Sequence, residues 1–401
     1  MTIPTPTSVP EQARRLAAID ALADRFRERA GKYDQQASFP EENFQDLAAA
    51  GLLALTVPTK WGGQELWGAG GFVDYYEILE HVARIDPPTG QLLQVHSHAL
   101  GMLSHVATEE QAQEHIIPIV RAGQLVASVG SESVPGRTNV GNSTSELARD
   151  ATGRWVLTRE KHFASLGPGA DHLIIWTALP GEGEYDSRSV AVLVPRDVPE
   201  VEFISNWDTL GMRPTVSCGV RINGFAVPDG ALFGAAGWWE GDVRTFTLGF
   251  AANHVGSARG ALEFAVGWVR ARPHLADDPI VQHALGEMSA DLQAARTSLF
   301  TAAKRWETGT AAEAEFGSVQ ALAVAKKISL QVTQRAFDVC GARAVFRHHQ
   351  LEQIFRDTRT FTLHYRVDGY VRDLGAALIA DAYDQRGNGG VVARWPTPVT
   401  D

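Results

Sequence analysis

The hydrophobic pattern changes period twice along the chain. Residues 1 to about 9 are rich in Pro and Thr and read as a loose tail. From there to about residue 123 the apolar positions recur with helical spacing. One helix is legible residue by residue. Pro40 opens it, Glu41 and Glu42 suit its positive end, Phe44, Leu47 and Ala48 share a face, and Gly51 closes it. Pro58, Gly62 and Gly63 mark a turn, and residues 73–106 read as two helices broken near Pro87 and Pro88. From Leu125 the pattern becomes short β-branched runs between Gly and Pro clusters: 155–158, 173–176, 190–194 and 220–222. After about Trp238 helical periodicity returns in segments at about 243–271, 280–306, 316–343 and 352–383, punctuated by Pro273, Pro279, Gly309 and Gly341.

This order predicts an α+β chain, mainly α, in three parts. A helical domain over 1–123 is followed by a central, mostly antiparallel β domain over 124–235 and a four-helix bundle over 236–401. The length of 401 residues suits two or three domains, and 44% hydrophobic with 21% charged residues suits packed cores. A βαβ nucleotide-binding series is missing. The run Gly68 to Gly71 (GAGG) lacks both the full dinucleotide fingerprint and a preceding strand, so it reads as a loop.

The net charge of -11 argues against nucleic acid or an anionic membrane as the main partner. No apolar run approaches a membrane span, and no apolar signal core stands near residue 1. Two distant cysteines, Cys218 and Cys340, make neither a disulfide framework nor a zinc motif, and the expected compartment is the cytoplasm. His96, His98, His105 and His115 lack a carboxylate pair at ligand spacing, so no metal site is expected.

Several short motifs occur in a fixed order. They are Val57 to Gly63 (VPTKWGG), Thr108 to Gln111 (TEEQ) leading through Pro118 to Gly123, Gly130 to Glu132 (GSE), Lys161 to Ser165 (KHFAS) and Leu210 to Arg213 (LGMR). Singly they are weak. In this order and spacing they resemble the acyl-CoA dehydrogenase family over nearly the whole chain. Two longer stretches, Asn206 to Ser217 (NWDTLGMRPTVS) and Phe355 to His364 (FRDTRTFTLH), are similar to that family's branch of reduced-flavin monooxygenases.

The resemblance implies a chemistry. Dehydrogenases of the family place a Glu after the start of the last-named stretch to take the substrate α-proton. Here the corresponding positions are Leu363, His364 and Tyr365, and the nearest acid, Asp368, lies about one helical turn further on. The alternative place for the base, around Thr245–Thr247, has no acid nearer than Asp242. The branch instead uses reduced flavin and O2, with oxygen carried as a peroxide on the flavin ring, to oxygenate a hydrophobic aromatic, heteroaromatic, sulfide or amine.

By the same resemblance His364 and His96 stabilise and protonate the oxygen adduct and orient substrate, and Ser165 meets the ring edge near N5 through its hydroxyl or its backbone. Ser131 and Ser165 contact the ring, Phe163 and Trp207 wall it, and Arg272 and Arg343 hold the flavin phosphate, in part across a subunit boundary. The flavin is FMN by preference, with FAD left open. A separate NAD(P)H:flavin reductase supplies it in the reduced form, and the assembly is a homotetramer. Three positions depart from the branch: Phe361 replaces a histidine, His274 a tryptophan and Ala344 a glycine.

Blander readings stand beside these. A histidine on a helix is more often a satisfied structural residue, His98 competes with His96 for the pocket, Trp207 can simply pack, and the two arginines can cap helix ends. The pair His348 and His349 beside Arg347 reads as a solvated loop. Two other functions remain open: a dehydrogenase or oxidase whose base is relocated to Asp242 or Asp368, and a non-catalytic homologue that binds a flavin or acyl ligand as a sensor.

Overall fold

The computed structural model describes residues 10–68, 70–133, 140–141, 145–182, 188–234, 246–364 and 367–380. The tail before residue 10 and Asp242 lie outside them. Helix α1 (Glu11–Gln36) buries Ile19, Leu22, Ala23, Phe26, Ala30 and Tyr33, one stripe at helical spacing. Helix α2 (Glu41–Ala49) follows Pro40 and buries Phe44 and Leu47, with Gly51 in the left-handed region beyond it. Asp86 divides α3 (Phe72–Ile85) from α4 (Pro87–Val106), and its carboxylate accepts the Thr89 N–H that opens α4. Helix α4 is buried along almost its whole length, so it is the central post of this region. Short helices α5 (Glu109–Gln111) and α6 (Ile117–Ala122) flank a π turn (Ala112–Ile116) and end at Gly123.

Among the described residues the middle of the chain forms two four-stranded sheets and one two-stranded sheet. One sheet has the order β1 (Val126–Val129), β6 (His172–Ala178), β7 (Ser189–Pro195) and β10 (Leu232–Phe233). Its β1–β6 pair is parallel, and the β6–β7 and β7–β10 pairs are antiparallel. The other sheet is antiparallel, in the order β4 (Ala148–Arg149), β5 (Trp155–Ala164), β9 (Cys218–Ala226) and β8 (Val201–Ile204). In the two-stranded sheet β2 (Glu132–Ser133) pairs antiparallel with β3 (Val140–Gly141).

Strand β5 is longer than its apolar run predicts. Pairing with β9 carries it through the polar residues 159–161, where Arg221 on β9 meets Glu160. The KHFAS motif therefore ends a strand.

The C-terminal region packs α7 (Phe246–Arg270), α9 (Pro279–Thr308) and α10 (Ala311–Cys340) as long helices, with the one-turn α8 (Pro273–Ala276) between the first two. It is tied to the N-terminal helices by Glu80, fully buried on α3. Glu80 receives both ends of the Arg296 guanidinium, at 2.9 and 3.0 Å, and one bond from Arg259.

The predicted helix over 352–383 is two helices, α11 (Gln350–Phe361) and α12 (Val367–Ala380). Three groups tighten the end of α11. The Leu363 and His364 N–H groups bond three residues back, to Thr360 and Phe361, and the Thr362 hydroxyl bonds back to the Arg359 carbonyl. His364 thus stands in a turn beyond the helix, not on a helix face, and Asp368 belongs to the next helix. Among the described residues no helix is long and apolar enough to cross a membrane.

Candidate active site

One wall of the site is the end of β5. Phe163 and Leu166 both take left-handed backbone angles, at φ 56° and 69°, and Ser165 N–H closes on the Phe163 carbonyl at 2.8 Å. The result is a sharp corner that leaves Phe163 half exposed, at 50%. An aromatic ring held open to solvent by a constrained backbone awaits a flat apolar ligand more readily than it serves the core. Trp207 meets Phe163 edge to face at 6.2 Å, and its indole N–H donates to the Met212 carbonyl at 3.0 Å. Ser131 lies alongside, its carbonyl accepting from His162 N–H at 2.8 Å. Its segment is pinned by the buried Lys161, which reaches both Glu132 and the Trp176 carbonyl. Burial pushes the Lys161 pKa down to about 8, against the pull of Glu132.

Behind Ser165 runs a chain of hydroxyls. Ser165 Oγ lies 2.7 Å from Ser217 Oγ, which lies 2.7 Å from Thr215 Oγ1, and Thr215 donates to the Met212 carbonyl at 2.7 Å. Met212 is itself left-handed, at φ 53°, and is held from both sides. Its N–H donates to Asp357 on α11, and its carbonyl accepts from Trp207, Thr215 N–H and the Thr215 hydroxyl. The neighbouring Gly211 lies against the α11 backbone so closely that a Cβ there would collide with the Arg356 carbonyl.

His364 stands two turns beyond Asp357 in sequence, at the far end of α11. Its ring lies 4.7 Å from Phe250 on α7 and 6.1 Å from Phe361. His364 is open to solvent although protein surrounds it, as a residue lining a recess would be. Desolvation by the protein around it holds its pKa below the ordinary imidazole value. At neutral pH the ring is therefore neutral, a hydrogen-bonding group and a base before it is an acid.

Of the two other positions where a dehydrogenase base is expected on this segment, Leu363 is exposed and Tyr365 lies outside the described residues. Asp368 is exposed in the first turn of α12, where its charge acts on Lys326.

His96 has a different part. It is fully buried, Nδ1 accepts from Val126 N–H at 3.0 Å, and Nε2 donates to the Leu53 carbonyl at 3.1 Å. Both ring nitrogens are committed to backbone, so this side chain ties α4 to β1 and has no proton to deliver. Burial lowers its pKa to about 4 and keeps it neutral. The expectation that it acts on a bound oxygen adduct gives way to this clamp. His98 is also buried, its ring 4.9 Å from Trp67 and 6.0 Å from Tyr75, and its pKa is pushed down to about 3. Among the described residues no group of three or more His, Cys, Asp or Glu is placed to hold a metal.

The arginines lie elsewhere. Arg272 precedes α8, donates to the Trp268 carbonyl at 2.9 Å and stacks its guanidinium 3.6 Å from the Trp268 ring centre. His349 also packs on Trp268, at 4.9 Å, and Arg343 is exposed in the adjoining 3-10 turn (Ala342–Val345). From Phe250 to Trp268 is about 27 Å of helix at 1.5 Å per residue. One chain therefore separates the arginines from its own His364 by the length of the bundle.

Four residues close to this site were not singled out from sequence: Thr215, Ser217, Asp357 and His254. The first three lie inside motifs already quoted. Their signal was a pair of hydroxyls two residues apart and a lone acid in an amphipathic helix, both of which read as ordinary. His254 is buried on α7, 3.0 Å from Ser329 Oγ and 4.8 Å from the Phe361 ring, and nothing in sequence marks it.

Residues 10–123 match the N-terminal domain of acyl-CoA dehydrogenases and residues 248–368 match their C-terminal domain. The chain is similar to a dibenzothiophene monooxygenase of Mycolicibacterium goodii, 26% identical over 415 residues, which covers 96% of this chain and 98% of that protein. Among solved structures it is similar to the FMN-bound dibenzothiophene monooxygenase TdsC of Paenibacillus sp. A11-2. That likeness has a TM-score of 0.83 and 25% identity over 92% of this chain and 98% of the other. It shares its fold with butyryl-CoA dehydrogenase of Megasphaera elsdenii, at TM-score 0.82 and 19% identity over 94% of this chain and 100% of the other. With both helical regions matched and two small sheets folded between them, this chain belongs to the acyl-CoA dehydrogenase family.

Proposed function

We propose that this chain is the oxygenase component of a two-component flavin monooxygenase, acting on a small hydrophobic aromatic, heteroaromatic, sulfide or amine. The observation that carries the reading is the end of α11. Where a dehydrogenase of this fold needs a carboxylate, the turn offers His364 among Phe250 and Phe361, and Asp368 faces solvent on the next helix. The full-length similarity to proteins named as monooxygenases supports it.

The residues present fit a flavin. Phe163 gives an exposed apolar ring with Trp207 edge-on beside it, Ser131 and Ser165 give hydroxyls near it, and FMN is the form bound by the similar structure. When bound, reduced flavin supplies the electrons that activate O2. The chain's own part is to orient and to exclude water. Phe163 stacks on the ring system, Ser165 fixes its edge, and Phe250 and Phe361 keep the substrate side apolar. His364, neutral at pH 7, hydrogen-bonds the reacting oxygen or substrate through one ring nitrogen and takes up a proton there. Arg272 and Arg343 reach a phosphate only from a second copy of the chain, which makes a homo-oligomer, a tetramer in this reading, part of the site. No nicotinamide site is recognisable in the sequence, so a separate flavin reductase delivers the reduced cofactor.

The direct test is turnover. Reduced FMN, O2 and a panel of indoles, phenols, thioethers and amines should yield an oxygenated product. Absence of any such product, together with oxidation of an acyl-CoA, would refute the reading.

A further inference from the structure

The hydroxyl chain behind Ser165 has a direction. The Met212 carbonyl can only accept, so the Thr215 proton points to it. With its one proton used, Thr215 Oγ1 can only accept from Ser217, and Ser217 Oγ can then only accept from Ser165. Reversing any one step would set two lone pairs against each other at 2.7 Å. The Met212 carbonyl that anchors the chain cannot turn away, because Trp207 N–H and Thr215 N–H also bind it and Asp357 holds the N–H of the same residue. Among the described residues Ser165 Oγ has no other partner, so towards the site it shows lone pairs and no proton.

We infer that Thr215 and Ser217 are positioning residues that make Ser165 an obligate hydrogen-bond acceptor, and so tune the site to the reduced rather than the oxidised flavin. This rests on the flavin reading above, in which Ser165 meets the ring edge at N5. A reduced flavin carries N–H at N5 and satisfies an acceptor. An oxidised flavin carries a bare nitrogen there and faces the Ser165 oxygen lone pair to lone pair. The hydroxyl would thus favour the form a reductase delivers and disfavour the spent form. A component that must take up reduced flavin and release oxidised flavin each turnover needs that bias.

The test is equilibrium binding without turnover. Oxidised FMN and dithionite-reduced FMN are titrated anaerobically into the full-length protein and its variants, and the ratio of the two dissociation constants is read. Wild type should bind the reduced form more tightly. Thr215→Val frees the Ser217 proton to turn back on Ser165, and should lower the ratio by about tenfold, the size of one hydrogen bond gained or lost. Thr215→Ser keeps the hydroxyl and should keep the ratio. If Thr215→Val does not fold, Ser217→Ala, which lets Ser165 rotate, should flatten the ratio in the same way.

A Thr215→Val or Ser217→Ala protein that weakens both forms equally would show a structural role only and overturn the inference, leaving the flavin reading intact. Equal binding of the two forms by wild type would also overturn it. Wild type that binds neither form would overturn the flavin reading and this inference with it.

Discussion

Asp357 on α11 accepts the backbone N–H of Met212, and so joins the helix that leads to His364 to the turn that anchors Ser165. This carboxyl is fully buried, and its second oxygen, Oδ2, has no partner among the described residues. Desolvation therefore holds its pKa well above the usual carboxylate range. The folded protein keeps a proton on Asp357 where the unfolded chain has released it. As pH rises above about 4, the unfolded Asp value, the residue weighs increasingly against the fold. Asp357→Asn, neutral at every pH, should melt at or above the wild-type temperature at pH 7 and lose that advantage near pH 4. Asp357→Ala leaves the Met212 N–H buried and unpaired, and should cost about 1–3 kcal/mol by denaturant unfolding.

The same joint predicts the effect of a single methyl group. Gly211→Ala places a Cβ against the Arg356 carbonyl, which is helix backbone and cannot step aside. The turn and α11 must separate, at a cost of about 1–3 kcal/mol. Because Met212 moves with the turn, flavin affinity should fall along with the melting temperature. A conserved affinity in a destabilised protein would show that the turn does not position the flavin wall.

His96 gives a test of clamp against catalyst. As a clamp it is held neutral by burial, with a pKa near 4 against 6.5 for the free side chain. A depressed histidine contributes stability that is present above about pH 6.5 and is lost as pH falls towards 4. Thermal melts across that range should show the loss. His96→Gln, which never takes up a proton, should be less stable at pH 7 and should flatten the acid part of the curve. The pH profile of turnover should keep its shape, because no proton on His96 reaches the reaction. A displaced acid limb in that variant would return His96 to the chemistry.

Much of the fold was legible because helix periodicity and turn residues act locally. Pro40, Glu41, Phe44, Leu47 and Gly51 specify α2 almost alone, and Pro87 and Pro88 mark where one helix ends and the next begins. The break between α11 and α12 was not legible. Thr360, Thr362 and the residues around them keep helical periodicity, and only their hydroxyl and three-residue backbone bonds show that the helix stops before His364. The corner at Phe163 to Leu166 was visible as a motif, but its construction was not. Left-handed angles at Phe163, Leu166 and Met212 fall on residues with side chains, where sequence gives no warning. The part of His96 was misjudged because its two partners, Leu53 and Val126, are backbone groups far away in the chain.

The account's central claim is that the turn at His364 supports oxygen chemistry in place of α-proton removal. Stopped-flow mixing of the reduced-FMN complex with O2, followed at the flavin absorbance bands, tests it most directly. The account predicts a transient species, distinct from reduced and oxidised flavin, that lasts for seconds. His364→Gln should shorten its life by about a hundredfold, the lower end of what a positioned acid–base group contributes. Direct return to oxidised flavin in wild type, with flavin that bleaches on adding an acyl-CoA in the absence of O2, would contradict it.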